Sequence, residues 1–203
     1  MHRSSQSGSD LSKARWRALF RATREELDVR AYQEYSTAIA ERTLALPEVR
    51  AARRVHTYWP LTRRREVDTR PLIRHLRARG TEIILPVVVA PGPQKPPRLR
   101  HVHLADEADL RPNRWGIYEP TGSTCVSVAD LDVIIVPALG AGRNGHRVGH
   151  GHGFYDAFLR DAHAPTVCLV YARCLAEAVP VEAHDVPVSV IVTESEVVRP
   201  AAS

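Results

Sequence analysis

The chain has few cysteines, and their spacing suggests no pairing. Cys125, Cys168 and Cys174 are odd in number and lie outside any C-x-x-C pattern. Disulfide frameworks and cysteine-ligated zinc sites both depend on paired cysteines, so the sequence predicts neither. We therefore expect a reducing, cytoplasmic setting.

No run of the sequence is apolar for long enough to cross a bilayer. The longest such run, IILPVVVAP at 83–91, is far shorter than the roughly 20 residues that a spanning helix needs. The opening stretch MHRSSQSGSD lacks the apolar centre of a signal peptide. We expect neither export nor a membrane partner.

Lysine is scarce, since Lys13 and Lys95 are the two lysines among 28 basic residues. The net charge of +5 therefore rests almost entirely on arginine, which favours an anionic partner. No zinc-finger, RNP-type or helix-turn-helix signature accompanies this charge. Without such a signature, basic charge alone does not indicate nucleic-acid binding. We therefore expect a small-molecule substrate and no nucleic acid.

The length and composition fit one compact, water-soluble domain. The 203 residues are 44% hydrophobic and 25% charged, which suffices for a core without disulfides. We expect a disordered tail over 1–11, a single domain over 12–196 and a C-terminal tail over 197–203. The sequence leaves the oligomeric state open between monomer and homodimer.

Helical and strand patterns alternate along the chain. This alternation predicts an α/β fold, a single three-layer domain with a mostly parallel or mixed central sheet and helices on both faces. Asp10 or Ser12 is the expected cap of the first helix. The predicted helices cover 13–27, 31–46, 67–80, 153–162 and 174–180; the predicted strands cover 53–59, 81–89, 99–104, 130–139, 165–172 and 186–194.

A glycine-rich segment, GAGRNGHRVGHGHGFYD at 140–156, directly follows the most apolar strand. In such folds ligands bind at the carboxyl ends of the strands, where this segment must lie. Gly140, Gly142 and Gly145 satisfy the G-x-G-x-x-G dinucleotide pattern, but no helix opens within them, so the match is weak.

Three other hypotheses remain for this segment. His146, His150 and His152 could meet one metal ion, although no fourth ligand is evident. Alternatively, the glycines give backbone N–H groups close access to a phosphate, and Arg147 and the following helix add positive charge. A plain surface loop is the third possibility. The regular G-x-G-x-G spacing favours the phosphate site.

Motifs elsewhere in the chain extend this pattern in a fixed order. They are K-x-x-x-R at Lys13 and Arg17, E-V-D-T at 66–69, L-P-V at 85–87, W-G-I-Y-E-P at 115–120, D-L-D-V-I-I-V-P at 130–137, NGHRVGHGHGFYD at 144–156 and H-D-V-P-V at 184–188. Because these motifs occur in this order, the chain resembles the 5-formyltetrahydrofolate cyclo-ligase (5,10-methenyltetrahydrofolate synthetase) family from about Ser12 to Glu194.

The resemblance implies an ATP- and Mg²⁺-dependent cyclisation of 5-formyltetrahydrofolate, with Arg147 and Asp156 as catalytic residues and Asp156 as the metal ligand. It places ATP on Lys13, Arg17, Arg147, Gly149, His150, Gly151, His152, Gly153 and Tyr155, and the folate on Tyr58, Trp59, Glu66, Trp115 and Tyr155. For Lys13 and Arg17 a solvated helix face, and for the aromatic residues core packing, are the simpler alternatives.

Three departures from the family pattern leave other functions open. Ser189 stands where relatives commonly carry an aspartate that assists Mg²⁺. PALGAG at 137–142 replaces P-G-L-A-F-D, which predicts a looser loop or a wider pocket. The arginine run Arg63–Arg65 is dense and could attract a different acidic substrate. A divergent ATP-using enzyme and a non-catalytic nucleotide- or folate-binding protein are therefore alternatives.

Overall fold

A computed structural model describes residues 12–89 and 97–201. The tail predicted over 1–11 and the proline-rich 90–96 segment lie outside the described residues, as does Asp10. The helices are α1 (Lys13–Glu25), α2 (Val29–Ala45), α3 (Pro47–Ala51), α4 (Arg70–Ala78) and α5 (Phe154–Leu159). The strands are β1 (Arg54–His56), β2 (Glu82–Val89), β3 (Arg98–His103), β4 (Leu110–Pro112), β5 (Tyr118–Pro120), β6 (Val133–Pro137), β7 (Gly140–Gly142), β8 (Arg147–Val148), β9 (Thr166–Leu169), β10 (Leu175–Ala176), β11 (Val190–Val192) and β12 (Val197–Val198).

The long N-terminal helices begin at capping side chains. Ser12 precedes α1, and its hydroxyl accepts a bond from the Arg15 N–H at 3.5 Å. Asp28 caps α2 more tightly, with its carboxylate 2.7 Å from the Ala31 N–H. Such side chains satisfy amide groups that the first helical turn leaves unpaired. Pro47 then opens α3, a position that suits proline because no amide hydrogen is needed there.

The central sheet has seven strands in the order β12-β11-β9-β6-β1-β2-β3. Every pairing from β11 across to β2 is parallel, and each edge strand is antiparallel to its neighbour. Parallel strands need both faces covered, and their continuous apolar sequences reflect this. The predicted mostly parallel or mixed α/β fold is confirmed.

Alternate residues of the strands pack on opposite sides. Val133 and Ile135 join a core with α1, α2 and α4, whereas Ile134 and Val136 face α5 through Phe158. Helices therefore lie on both faces, although four of them share one face and the short α5 covers the other. None of the helices within 12–89 and 97–201 has the length and hydropathy that a bilayer crossing requires.

Two local predictions are wrong. The helix expected over 174–180 is instead a single 3-10 turn, Ala172–Cys174, followed by β10, because the Leu175 and Ala176 backbone pairs with β7. The tail expected over 197–203 begins later, since β12 at Val197–Val198 extends the sheet beside β11.

The glycine-rich segment is more ordered than a surface loop. Gly140–Gly142 and Arg147–Val148 form an antiparallel hairpin that joins β10 in a small second sheet. Gly140 is buried so closely that a Cβ there would overlap the Phe20 ring of α1. The first part of the segment is thus a packing element, and no helix opens there, which argues against the dinucleotide pattern.

The strand order reverses between β1 and β6. From β1 the chain continues outward to β2 on one side, and it later returns to place β6 on the other. At such a switch point the connections leave in opposite directions, which opens a crevice beyond the carboxyl ends of the strands.

Candidate functional site

A cavity of about 850 Å³ occupies this crevice. Tyr58 and Trp59, which follow β1, and Pro137, the last residue of β6, form part of its wall. Every residue that the family resemblance assigns to a ligand lines this one cavity, whereas His146 of the metal hypothesis does not. The lining residues are Lys13, Arg17, Tyr58, Trp59, Glu66, Trp115, Arg147, Gly149, His150, Gly151, His152, Gly153, Tyr155 and Asp156. A volume of this size accommodates ligands larger than a single small metabolite.

The α1 helix contributes two cations from one face. Lys13 and Arg17 are four residues apart, so successive turns direct both side chains toward the cavity. Arg17 donates from Nε to the Gly149 carbonyl at 3.1 Å. The interpretation of these residues as a solvated helix face is therefore wrong for Lys13, which is only 9% exposed.

Lys13 is held by an acid that sequence reasoning missed. Its ammonium donates to both carboxylate oxygens of Asp185 at 2.5 Å and lies 3.4 Å from Glu182. Burial by itself would raise the pKa of Asp185, but the bond from Lys13 and the Glu182 N–H lower it. The motif H-D-V-P-V contained Asp185 and was the available signal for it.

Arg147 and Asp156 form an ion pair on the cavity wall. The buried Arg147 guanidinium donates from Nη2 to Asp156 Oδ1 and from Nη1 to the Val186 carbonyl, each at 2.7 Å. Within the described part of the chain, Asp156 Oδ2 accepts no hydrogen bond, and the side chain is 25% exposed. Asp156 therefore has one oxygen committed to Arg147 and one free.

Two glycines between these residues need their special backbone freedom. Gly151 has a φ of +92° and Gly153 a φ of +71°, values that other residues rarely adopt. A Cβ on Gly151 would also approach the Arg17 guanidinium to 3.3 Å. The helix α5 that follows has only six residues, so the positive helix end expected at Gly153 contributes little.

Glu66 is a buried carboxylate on the cavity wall, close to His150 of the glycine-rich segment. It is 5% exposed, and its Oε2 accepts the Leu61 N–H at 2.8 Å. Burial alone would raise its pKa, but the His150 imidazole, the Arg24 guanidinium and the Leu61 N–H hold that pKa below its usual value. His150 Nε2 is 3.9 Å from Oε1, which is too long for a hydrogen bond, so its influence is electrostatic.

Aromatic side chains line the same cavity as this carboxylate. Tyr58 is buried, and its hydroxyl donates to the Val67 carbonyl at 3.3 Å, so the ring rather than the hydroxyl is presented. Trp115 is 42% exposed, with the Arg114 guanidinium 4.1 Å above its ring. Among the described residues the buried Tyr155 hydroxyl has no hydrogen-bond partner, and burial raises its pKa. Flat rings near a buried carboxylate suit a flat ligand that carries paired N–H donors.

The three-histidine metal hypothesis is not supported by this arrangement. In residues 12–89 and 97–201, the one group of three potential ligands that converges is Glu182, His184 and Asp185. The Lys13 ammonium already lies against two of these residues and opposes a cation there. Asp156 is the better carboxylate for a metal ion, because it keeps a free, partly exposed oxygen.

Two of the departures from the family pattern lie outside the cavity. Ser189 hydrogen-bonds Thr166 at the amino ends of β11 and β9, opposite to the cavity. Gly140–Gly142 packs against α1 and the Val179 backbone, so these glycines neither loosen nor widen the pocket. Of the arginine run, Arg64 lines the cavity.

Comparisons with known proteins identify relatives of this chain. The model of the 5-formyltetrahydrofolate cyclo-ligase family matches residues 9–194. The 5-formyltetrahydrofolate cyclo-ligase of Escherichia coli K12 is 33% identical over 184 residues, which cover 88% of this chain and 98% of that protein. The Aquifex aeolicus 5,10-methenyltetrahydrofolate synthetase structure superposes with a TM-score of 0.82 at 28% identity and covers 95% of each chain. A Mycoplasma pneumoniae 5,10-methenyltetrahydrofolate synthetase, at 15% identity and a TM-score of 0.73, supports the fold.

The fold, the pocket and these relatives define an α/β enzyme of the ligase class. More narrowly, the chain belongs to the 5-formyltetrahydrofolate cyclo-ligase family.

Proposed function

We propose that the protein uses ATP to convert 5-formyltetrahydrofolate into 5,10-methenyltetrahydrofolate, releasing ADP and phosphate. The observation that carries this proposal is the continuity of the cavity. One wall presents Lys13, Arg17, Arg147 and glycine backbone, and the same space reaches Glu66 and the aromatic rings. A polyphosphate and a flat heterocycle therefore have complementary walls within one space.

The reaction needs both ligands side by side. The formyl oxygen attacks the γ-phosphorus of ATP, the bond to the bridging oxygen breaks, and ADP leaves. N10 then attacks the formyl carbon, its proton is released, and the carbon–oxygen bond breaks as phosphate departs. Phosphate is a far better leaving group than an amide oxygen, so phosphorylation is what makes ring closure possible.

The residues of the cavity contribute placement and charge. Phosphoryl transfer depends chiefly on positioning and on neutralising oxygen charge. Lys13, Arg17 and Arg147 supply fixed cations, and the glycines let backbone N–H groups approach the phosphates. Glu66 accepts the paired N–H donors of the pterin edge, with Tyr58, Trp59 and Trp115 as its aromatic walls. His150 and His152 add donors beside the phosphates.

Asp156 is the residue that would hold Mg²⁺. Its free Oδ2 is a hard oxygen ligand, which this ion prefers, and phosphate oxygens complete such sites in other phosphoryl-transfer proteins. The ion, when bound, neutralises charge on the phosphates. Arg147 fixes the Asp156 carboxylate through Oδ1 and leaves Oδ2 directed away from that bond.

The assay for this proposal combines purified protein, ATP, Mg²⁺ and 5-formyltetrahydrofolate, and follows the absorbance of the methenyl product. Product should form only when all components are present. Folate binding without ADP release would instead support a non-catalytic binding protein. ADP release that depends on another substrate would support a divergent enzyme. Two features that suggested divergence, Ser189 and Gly140–Gly142, do not line the pocket.

A further inference from the structure

Arg24 is a charged residue at a core position of α1. It follows Phe20 by one helical turn and is 2% exposed, although its neighbours on this stripe are apolar. A buried guanidinium is costly unless its donors are paired, and among the described residues only Nη2 of Arg24 lacks a partner within this group.

The guanidinium joins the two chain segments that border the switch point. Its Nε donates to the Arg65 carbonyl at 3.1 Å, and its Nη1 donates to the Ala138 carbonyl at 3.3 Å. Arg65 directly precedes Glu66, and Ala138 directly follows β6. Arg24 therefore connects the segment that carries Glu66 with the segment that follows β6.

The carbonyl that Arg24 holds belongs to a strained residue. Arg65 adopts φ 50° and ψ 34°, and within the described ranges it is the sole non-glycine residue with positive φ. This left-handed conformation is unfavourable for any residue with a Cβ. It reverses the chain so that the Glu66 carboxylate returns to the Leu61 N–H at 2.8 Å. The bond from Arg24 to the Arg65 carbonyl therefore helps to hold this turn.

The same guanidinium also supplies charge to the carboxylate. Glu66 is buried among apolar and aromatic groups, where ionisation is disfavoured, and Arg24 is one of the groups that lower its pKa. The groups facing Glu66 are Arg24 from α1, Tyr32 from α2, Tyr58 after β1, His150 from the glycine-rich segment and Tyr155 from α5. Arg24 is the permanently charged member of this set.

We propose that Arg24 is a positioning residue for Glu66: by holding the left-handed Arg65 turn, it fixes the carboxylate that receives the pterin edge of the substrate. This inference rests on the proposed function to the extent that Glu66 binds the folate. It assigns Arg24 to folate binding alone, although Lys13 and Arg17 on the same helix are assigned to ATP.

A purely structural role for Arg24 gives a different expectation. If Arg24 merely attached α1 to the sheet, its loss would displace Lys13 and Arg17 as well, and ATP would be affected together with the folate. The ratio of the change in the KM for the folate to the change in the KM for ATP therefore separates a positioning role from a purely structural one.

The experiment compares Arg24→Met and Arg24→Lys with Arg21→Met, a matched change on the exposed side of α1. For Arg24→Met we expect the KM for 5-formyltetrahydrofolate to rise about 10-fold or more, since two carbonyls lose their donor. The KM for ATP should change less than about 2-fold, and Arg21→Met should match wild type. Equal increases in both KM values, or no increase, would overturn the proposal.

The pH profile and a double-mutant cycle provide readouts independent of folding. In Arg24→Met the acid limb of kcat/KM for the folate should move to higher pH, because Glu66 loses a cation that favours its ionised form. Arg24→Lys should keep the limb near its wild-type position even where its KM rises. In a Glu66→Gln background, Arg24→Met should add little further effect, because both changes act through one carboxylate. Full additivity would contradict the proposal.

Failure of the proposed function has a separate signature. If wild-type protein binds the folate, seen as quenching of Trp59 and Trp115 fluorescence, but forms no methenyl product, the proposed function fails. The Arg24 series is then evaluated from the dissociation constants of the folate and of ATP, with the same expected ratio.

Discussion

The Arg147 guanidinium lies between Asp156, whose Oδ1 it contacts at 2.7 Å, and the Val186 carbonyl at the same distance. The glycine-rich segment is thereby joined both to the first turn of α5 and to the segment that carries Asp185. A single buried side chain thus connects these segments of the cavity wall.

Replacing Arg147 should abolish most of the activity. Arg147→Ala removes a phosphate donor and leaves Asp156 without its fixed partner, so kcat/KM for ATP should fall about 10²-fold or more. Steady-state kinetics in ATP measure this loss. Arg143→Ala is the control, because Arg143 pairs with Glu196 at the surface of the same hairpin. A wild-type kcat/KM for ATP in Arg147→Ala would show that Arg147 does not contribute to ATP binding or turnover.

Gly151→Ala should weaken ATP binding beyond its effect on stability. The positive φ should cost about 1 kcal/mol of unfolding free energy, and the new Cβ would also press on Arg17. Gly80→Ala is matched, since Gly80 has a φ of +85° but open space around it. Both variants should lose similar stability in denaturant titrations, whereas only Gly151→Ala should raise the KM for ATP. Equal KM values for the two variants would exclude the contact with Arg17.

Two buried histidines should make the fold sensitive to acid. Burial lowers the pKa of His101 to about 4. The pKa of His56 is also lowered, first by burial and then by the charge of the neighbouring His101. The unfolded chain takes up these protons from about pH 6.5 downward, so it binds more protons than the folded protein between pH 6.5 and 4. Stability should therefore fall as the pH falls through that window.

His101→Phe tests this expectation. The ring centroids of His101 and Phe158 are 4.2 Å apart, so a phenylalanine ring suits the site. The free energy of unfolding, measured from pH 8 to pH 4, should drop less steeply in the variant, with a difference on the order of 3 kcal/mol at most by pH 4. The difference at pH 8 gives the packing contribution. Parallel curves would mean that His101 is protonated in the folded protein too.

Restoring an aspartate at Ser189 should leave the Mg²⁺ requirement unchanged. Ser189 bonds Thr166 at the end of the sheet away from the cavity, so Ser189→Asp places no ligand near Asp156. Asp156→Asn is the informative comparison, and it should raise the Mg²⁺ concentration for half-maximal rate about 10-fold. A lower requirement in Ser189→Asp would contradict this account of the metal ligand.

Much of the fold follows from local sequence signals. The Ser12 cap and the apolar stripe of Trp16 and Phe20 define α1, and the run Val133–Pro137 has the continuous apolar character of a strand buried on both faces. The segment over 174–180 was mispredicted because β10 is stabilised by backbone pairing with the distant β7, which no local pattern encodes.

The candidate site was predictable where glycine spacing and paired charges carry the signal. Every residue that the family resemblance assigns to a ligand lines the cavity. Asp185 and Arg24 were missed, because their roles depend on partners far away in the sequence: Asp185 contacts Lys13 across 172 positions, and Arg24 contacts Ala138 across 114. The place of Ser189 at the amino ends of β11 and β9 could not be predicted, because a motif position gives no information on which end of a strand it occupies.

The most direct test of the proposed function is a single time course in which methenyl product and ADP are measured in the same reaction of wild-type protein with ATP, Mg²⁺ and 5-formyltetrahydrofolate. We predict that the two products accumulate in equal amounts and that neither forms when the folate is omitted. ADP formation without methenyl product, or methenyl product without ADP, would contradict the ATP-dependent cyclisation proposed for this cavity.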